Sequence, residues 1–436
     1  MISLEDPMKK IEVKVEEGIL AGEEKTTRMI FRGVPYAEAP VGQLRFRAPV
    51  PKHPWKGVRD AVEFGPICPQ PDPTSGFYGR EFYTDPSFPV PGQNEDCLYL
   101  NIWAPLAKKP GGYPVAFWIH GGAFDHGWGS EMEFDGDAFT SQDTILVTIN
   151  YRVGVFGFFA HPDLHTDGIG NAGILDQILA LRWVVKNIAA FGGDPDRITV
   201  FGQSAGAMSV QALVCSPLTE GLIHGAVMQS GAGYDNGLGR KILPEDAYKT
   251  SGIIMELLKV STLDEMVRVP AEKFVEILPA LYEKTGGLAF GPVIDGTVVT
   301  QDYDQAAENG TIQDLPYMIG MTENDITVEE GEDARNSRFY KGIIDWAKLR
   351  LKNSRKPVYV YYFRRKLPGD DAGAFHSSEL WYVFGTLGRC WRPMTPHDYK
   401  LSSAMTEYWT SFMKNDDPGK GWKPYTEEEQ FVRSFM

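Results

Sequence analysis

The sequence predicts an α/β fold: a mostly parallel central sheet flanked by helices, with extra N-terminal antiparallel strands and loops. Three observations carry that expectation. Beyond the first hundred residues, short β-branched apolar runs alternate with stretches whose apolar residues recur at helical spacing. That alternation is the mark of parallel strands covered on both faces by helices. The first hundred residues are richer in Pro, Gly and two-residue alternation, which reads as antiparallel strands joined by long loops. Finally, there is no internal repeat and no low-complexity linker, so residues 1–436 are expected to form one domain.

The strand-like runs fall at residues 115–119, 145–149, 198–201, 226–229, 317–320 and 358–363. Each is a short apolar stretch, too short for a helix of ordinary length. Residues 174–191 read as a helix because Leu175, Ile178, Leu179, Leu181, Trp183 and Val185 recur at helical spacing. A second helix is expected to start at Ala205 and run to about Val214. Residues 70–93 carry Phe77, Tyr78, Phe82, Tyr83 and Phe88 among prolines and read as a surface loop overhanging a site. Those aromatic rings either pack their own loop or meet a ligand.

Composition narrows the partners. Hydrophobic content of 43% and charged content of 23% are ordinary for a globular chain. A net charge of −15 without any Lys/Arg-rich block argues against nucleic acid and against an anionic membrane surface. No apolar run approaches the ~18 residues of a membrane span. The segment Met1-Ile2-Ser3-Leu4-Glu5-Asp6-Pro7 has no apolar core and no small-residue cleavage site. The expectation is therefore a cytoplasmic protein, or a secreted one whose leader has been removed. Four cysteines are too few for a disulfide scaffold and lack zinc-site spacing; Cys215 and Cys390 read as buried thiols.

The run Val200-Phe201-Gly202-Gln203-Ser204-Ala205-Gly206 sets a serine between two glycines, after a strand and before a helix. Such a nucleophile elbow thrusts the hydroxyl into a cleft, and a Cβ two residues before or after the serine would clash. Serine attacks well only when a base takes its proton, an acid orients that base and bare N–H groups hold the oxyanion. In the α/β-hydrolase arrangement the partners follow in the order Asp or Glu, then His. Of the eight histidines, His224 has only Glu220 between it and Ser204, too little chain for another strand. His397 lies in a turn marked by Pro393 and Pro396 and reads as solvent-exposed. His376, in the loop Asp371-Ala372-Gly373-Ala374-Phe375-His376, is the expected base.

The acid belongs on the loop after residues 317–320, where Glu323 and Asp325 both stand; Glu329 and Glu330 read as a solvated face. Spacing alone does not separate Glu323 from Asp325. The segment His120-Gly121-Gly122-Ala123 offers bare amides beside the serine, and the Ala205 amide adds one at a helix N-terminus. The chemistry expected is acyl transfer through a covalent intermediate, without cofactor or metal.

These residues resemble the type-B carboxylesterases, a family that includes cholinesterases and bacterial para-nitrobenzyl esterases. The likeness runs nearly end to end. It takes in Phe31-Arg32-Gly33-Val34-Pro35-Tyr36-Ala37 and Glu95-Asp96-Cys97-Leu98-Tyr99-Leu100-Asn101. It continues through Trp118-Ile119-His120-Gly121-Gly122-Ala123-Phe124, Asn150-Tyr151-Arg152 and Phe191-Gly192-Gly193-Asp194-Pro195 to Phe290-Gly291-Pro292-Val293-Ile294-Asp295-Gly296. The resemblance implies an α/β-hydrolase fold and hydrolysis of small or medium carboxylic esters. It implies Ser204 as nucleophile, His376 as base in a Gly-Ala-x-His-x-x-Glu segment ending at Glu379, and Gly122, Ala123 and Ala205 as oxyanion donors. It also selects Asp325, five residues after the glycine of Ile319-Gly320-Met321-Thr322, as the acid.

Departures from the family pattern sharpen the expectation. Asp325 stands where the family usually has Glu, so its loop must approach His376 more closely. Gln203 replaces a frequent Glu beside the serine and removes a negative charge. Only 51 positions separate Asp325 from His376, a shorter interval than usual, which predicts a site more open on one side. Little of the family's C-terminal segment follows Trp422-Lys423-Pro424-Tyr425. Cys68 and Cys97 match the family's first disulfide pair, though a reducing cytoplasm would keep them as thiols. Two alternatives remain: a hydroxycinnamoyl (feruloyl-type) esterase, suggested by the aromatic loop, and a catalytically inactive adhesion or binding protein, disfavoured by an intact set of Ser204, Asp325 and His376. Nothing resembles the amphipathic lid of a long-chain lipase.

Two motifs read as decoys. Gly168-Ile169-Gly170-Asn171-Ala172-Gly173 has the glycine spacing of a dinucleotide turn but lacks a strand directly before it. His161 and His165 stand four apart around Asp163, yet Pro162 disfavours a regular helix there and no third ligand is near.

Overall fold

The computed structural model describes residues 9–167, 169–239 and 241–436, apart from the side chains of residues 165–167. Among them twelve strands form one sheet. They are β1 Lys10–Val15, β2 Gly18–Glu24, β3 Arg28–Pro35, β4 Val58–Asp60, β5 Tyr99–Pro105 and β6 Tyr113–Ile119. After these come β7 Ile145–Ile149, β8 Gly193–Gln203, β9 Gly225–Gln229, β10 Tyr317–Thr322, β11 Val358–Phe363 and β12 Val432–Phe435. Their spatial order is β1-β2-β3-β5-β7-β6-β8-β9-β10-β11-β12, with β4 beside β2. Pairing is antiparallel from β1 to β7 along that path and parallel from β7 to β12. The expected antiparallel N-terminal part and parallel remainder are both present.

Two-residue alternation builds a core on each face. Val115, Phe117 and Ile119 of β6 enter one hydrophobic cluster with Ile145, Val147, Ile198 and Val200. Ala116 and Trp118 enter the other with Leu146, Phe201, Val227 and Tyr361. Such strands read as continuous apolar runs because helices cover both faces, and each buried large side chain contributes roughly 1.5–3 kcal/mol. The helix expected at 174–191 runs Ala172–Asn187 and tightens into a 3₁₀ turn at Ile188–Phe191. The helix after Ser204 spans Ala205–Cys215.

Three expectations need correction. Residues 70–93 are not all loop: Gly76–Phe82 is helical. Its Glu81 is fully buried, accepting both Oε–Nε bonds from Arg392 at 3.0 Å and indole N–H bonds from Trp381 (3.2 Å) and Trp391 (3.0 Å). This clamp ties the overhanging segment to the chain around His376. His397, though exposed, lies in the first turn of the helix Pro396–Asn415 rather than in a turn. Cys390 is only partly buried, unlike Cys215, Cys68 and Cys97, and all four are free thiols.

The decoys have local explanations. A 3₁₀ turn, Pro162–Asp167, precedes the glycine motif, of which Gly168 lies outside the described residues. Asn171 exchanges two hydrogen bonds with the Val293 backbone, at 2.8 and 2.9 Å, pinning the segment that contains Phe290. His161 Nδ1 accepts the Asp163 amide at 3.2 Å, while the His165 side chain lies outside the described residues. No helix among the described residues is long and apolar enough to cross a membrane.

Sheet order reverses where the chain leaves β7 on one side of β6 and returns as β8 on the other. Clefts in open α/β sheets form at the carboxyl ends of strands beside such a reversal. Arg152, just beyond β7, is fixed there by Asp176, with Nε–Oδ2 at 2.7 Å and Nη2–Oδ1 at 2.6 Å and both side chains buried. Breaking a buried ion pair strands a charge. Asp176→Asn is expected to lower unfolding free energy by about 3 kcal/mol or more, read by urea denaturation.

Candidate active site

Four strand ends deliver the candidate residues to one cleft. β6 runs into His120-Gly121-Gly122, β8 into Ser204, β10 into Asp325, and β11 into the loop bearing His376. Ser204 has φ 57° and ψ −126°, a conformation rarely adopted by residues with a Cβ. Its backbone N–H donates to the Gln229 carbonyl at 2.8 Å, and its carbonyl accepts the Met208 amide at 3.0 Å. The strain persists because the backbones meet too closely to relax. A Cβ on Gly206 would stand 2.1 Å from the Ile119 carbonyl oxygen, and one on Gly202 would stand 2.5 Å from Gly206.

The acid and base loops are stitched together. The Asn324 amide donates to the Ala374 carbonyl, and the Ala374 amide donates to Asn324 Oδ1, both at 2.9 Å. This register turns Asp325 inward: His376 Nδ1 donates to Oδ1 at 2.6 Å, as does the Ile326 amide at 2.9 Å. Its Oδ2 accepts the Thr322 amide at 3.2 Å and the Thr322 hydroxyl at 3.0 Å. Glu323 points the other way and pairs with Arg364 at 2.8 Å. The pair left open by spacing is thus separated by geometry.

Charge and burial oppose one another at this pair. Burial alone would push the His376 imidazole down, but the charge and hydrogen bond of Asp325, with help from Glu379, hold it above its ordinary value. Burial likewise favours neutral Asp325, yet the charge and hydrogen bond of His376, then the Ser230 side chain and the Thr322 amide, hold its carboxyl below the usual range. Glu379, fully buried nearby, is pushed up to about 7 by burial and by the Asp325 charge. It accepts from Gln229 Nε2 at 3.3 Å.

One link is not closed. The Ser204 hydroxyl has no hydrogen-bond partner among the described residues; His376 Nε2 instead faces the Gln203 side-chain amide at 3.1 Å. Such bonds are often long before substrate arrives and tighten in the complex. The Gly122 and Ala123 amides, at φ 95° and 58°, donate to no described group, and Ala205 opens its helix, where the amide has no intrahelical acceptor. Ser204, Gly122, Ala123 and His376 share a cavity of about 230 Å³ with Tyr78 and Phe82. Tyr78 stacks on Phe82 within the aromatic segment, and both rings wall the cleft. Ile326, 56% exposed, stands on the rim where the shortened interval falls.

Sequence reasoning missed the Gln203–His376 contact, the Asn324 stitch, and two carboxylates on the cavity wall, Glu131 and Glu133. The first two depend on side-chain direction. The third had a signal: two acids flanking Met132 shortly after the glycine turn.

The family model described as "Carboxylesterase family" matches residues 9–341 and 331–435. The chain belongs to the carboxylesterase family. Para-nitrobenzyl esterase of Bacillus subtilis (strain 168) is 34% identical over 91% of this chain and 89% of its own length. Fumonisin B1 esterase of Sphingopyxis macrogoltabida is 32% identical over 91% of this chain and 80% of its length. A solved structure of PNB esterase superposes with a TM-score of 0.86 at 31% identity, covering 98% of this chain and 95% of that one. A carboxylesterase of Geobacillus stearothermophilus gives 0.81 at 33% identity, covering 97% and 96%. The expected fold is that of these carboxylesterases, and the activity is carboxylic-ester hydrolysis.

Because the elbow leaves no room at Gly206, Gly206→Ala is expected to cost roughly 1–3 kcal/mol and to displace Ser204. The check is a lowered melting temperature together with loss of covalent labelling by an organophosphate.

Proposed function

We propose that this carboxylesterase works through an acyl-enzyme on Ser204. His376 Nε2 turns from Gln203 to Ser204 and takes the hydroxyl proton as Oγ attacks the ester carbonyl. Asp325 keeps the proton on Nδ1 and stabilises the imidazolium that forms. The amides of Gly122, Ala123 and Ala205 hold the oxyanion; each such donor is typically worth ~3 kcal/mol in the transition state. The imidazolium returns its proton to the departing alcohol oxygen. Water, deprotonated by the same histidine, then attacks the acyl carbonyl, and collapse restores Ser204 and releases the acid.

The observation that carries this reading is the 2.6 Å His376–Asp325 bond in the same cleft as the strained Ser204. A cavity of about 230 Å³ supports small or medium ester groups. Ser204→Ala is expected to abolish turnover of a short-chain para-nitrophenyl ester and to prevent organophosphate labelling. Asp325→Asn should cut kcat by roughly 10³–10⁴-fold, whereas Glu323→Gln, whose carboxylate serves Arg364, should not. Equal losses in both variants contradict the assignment. Neutral His376 is the active form and its titration is raised, so the acid limb of kcat/KM should lie above the ordinary histidine value of 6.5. In Asp325→Asn the limb should move down, because the partner charge is gone.

The aromatic wall formed by Tyr78, Phe82, Tyr83 and Phe134 favours a second reading, a preference for hydroxycinnamoyl-type esters. Higher kcat/KM for hydroxycinnamoyl than for acetyl and butyryl esters supports it; equal values sink it.

A further inference from the structure

Gln203 enters the cleft from the strand that delivers the nucleophile. Side chains alternate along β8, so Gln203 leaves the sheet on the same face as Phe201. The apolar cluster on that face includes Tyr361, Phe384 and the two residues that precede His376, Ala374 and Phe375. Gln203 is 3% exposed there. Against it lies the glycine turn after β6: a Cβ on Gly121 would stand 3.2 Å from Gln203 Oε1. The side-chain amide is thus confined between the Gly121 backbone and the imidazole. Among the described residues its hydrogen-bond partners are the ring nitrogens of His376, with Nε2 at 3.1 Å and Nδ1 at 3.5 Å.

The direction of that bond follows from the proton on the other nitrogen. Nδ1 donates to Asp325 Oδ1 at 2.6 Å, so a neutral His376 has a lone pair at Nε2. An amide facing a lone pair must present its N–H. The same lone pair is what the Ser204 hydroxyl needs as proton acceptor, and it serves one donor at a time. A protonated imidazole offers N–H at Nε2 instead, which Gln203 Oε1 can accept after a half-turn of the amide. Glutamine therefore fits His376 in either charge state, whereas an ionised glutamate fits only the imidazolium. We propose that Gln203 is a positioning residue that latches the base: in the free protein its amide keeps His376 Nε2 from Ser204, and only the unlatched fraction is competent to attack. This rests on the reading of Ser204 and His376 as nucleophile and base.

Two consequences separate a latch from a side chain that merely supports the fold. The first is a gain. Reactivity scales with the competent fraction, so losing a hydrogen bond of ordinary strength raises it by roughly three- to tenfold. Loss of a structural contact lowers reactivity instead. The second is a pH signature. Burial pushes the His376 imidazole down, while Asp325, then Glu379, hold it up. Around the same cavity stand Tyr78 of the helix Gly76–Phe82 and His126, Glu131 and Glu133 from the chain after the glycine turn. All of these stay in place when only the amide is exchanged for a carboxylate. The new charge then faces Nε2, favours the imidazolium and raises the titration further.

The test measures the second-order rate at which diethyl para-nitrophenyl phosphate labels the free protein, followed by para-nitrophenol release across the acid limb. Gln203→Met, close to glutamine in size and unable to donate, should be labelled about three- to tenfold faster at neutral pH. Gln203→Glu should move the acid limb of labelling up by about one pH unit or more. Labelling of a folded Gln203→Met no faster than that of the unsubstituted protein overturns the proposal. So does an acid limb that Gln203→Glu leaves in place. Melting temperature shows whether Gln203→Met is folded; if it is not, the Gln203→Glu profile decides alone. In every case, Ser204-dependent turnover of para-nitrophenyl butyrate leaves the esterase reading standing. Labelling and turnover that survive Ser204→Ala remove both.

Discussion

Everything at the cleft depends on how closely two strand ends can approach. The Ile119 carbonyl of β6 and the backbone at Gly206 are packed so tightly that no side-chain atom fits between them. That contact holds the turn after β8 in a conformation that its serine would not choose by itself. It also brings the glycine run after β6 alongside Ser204: a Cβ on Gly121 would stand 3.2 Å from the Ser204 Cβ. The reversal of strand order around β6 opens a cleft at the same place. One steric constraint thus sets the proposed nucleophile, the proposed oxyanion donors and the mouth of the site.

Electrostatics then decide what the cleft can do. His376 and Asp325 are buried together and each shifts the other toward its charged form, against the cost of burial. The cost is offset because every Asp325 oxygen has two donors. Further out, Glu81 and Arg392 form a dry clamp that holds the helix Gly76–Phe82, and with it Tyr78 and Phe82, over the serine.

Much of this was legible in the sequence, for physical reasons that can be named. The strands at 145–149 and 358–363 agree with β7 and β11 to the residue, because a strand buried on both faces leaves an uninterrupted apolar run. The turn at Ser204 was legible because only glycine fits on either side of it. The helix Gly76–Phe82 was not: Gly76 and Gly79 are poor helix formers, and its anchor is a tertiary contact far away in sequence. Glu323 and Asp325 could not be told apart by spacing, since the choice is made by the Asn324–Ala374 stitch between loops 50 residues apart. Family resemblance pointed to Asp325, the one of the two that bonds to His376. Nor could spacing reveal that the Gln203 side-chain amide faces His376 Nε2.

The most direct measurement is the crystal structure of the protein after reaction with an organophosphonate, a mimic of the tetrahedral intermediate. The account predicts phosphorus bonded to Ser204 Oγ, the phosphoryl oxygen within hydrogen-bond distance of the Gly122, Ala123 and Ala205 amides, and His376 Nε2 turned from Gln203 toward Ser204. Phosphorus on another residue, or a phosphoryl oxygen facing solvent with His376 still held by Gln203, would contradict it.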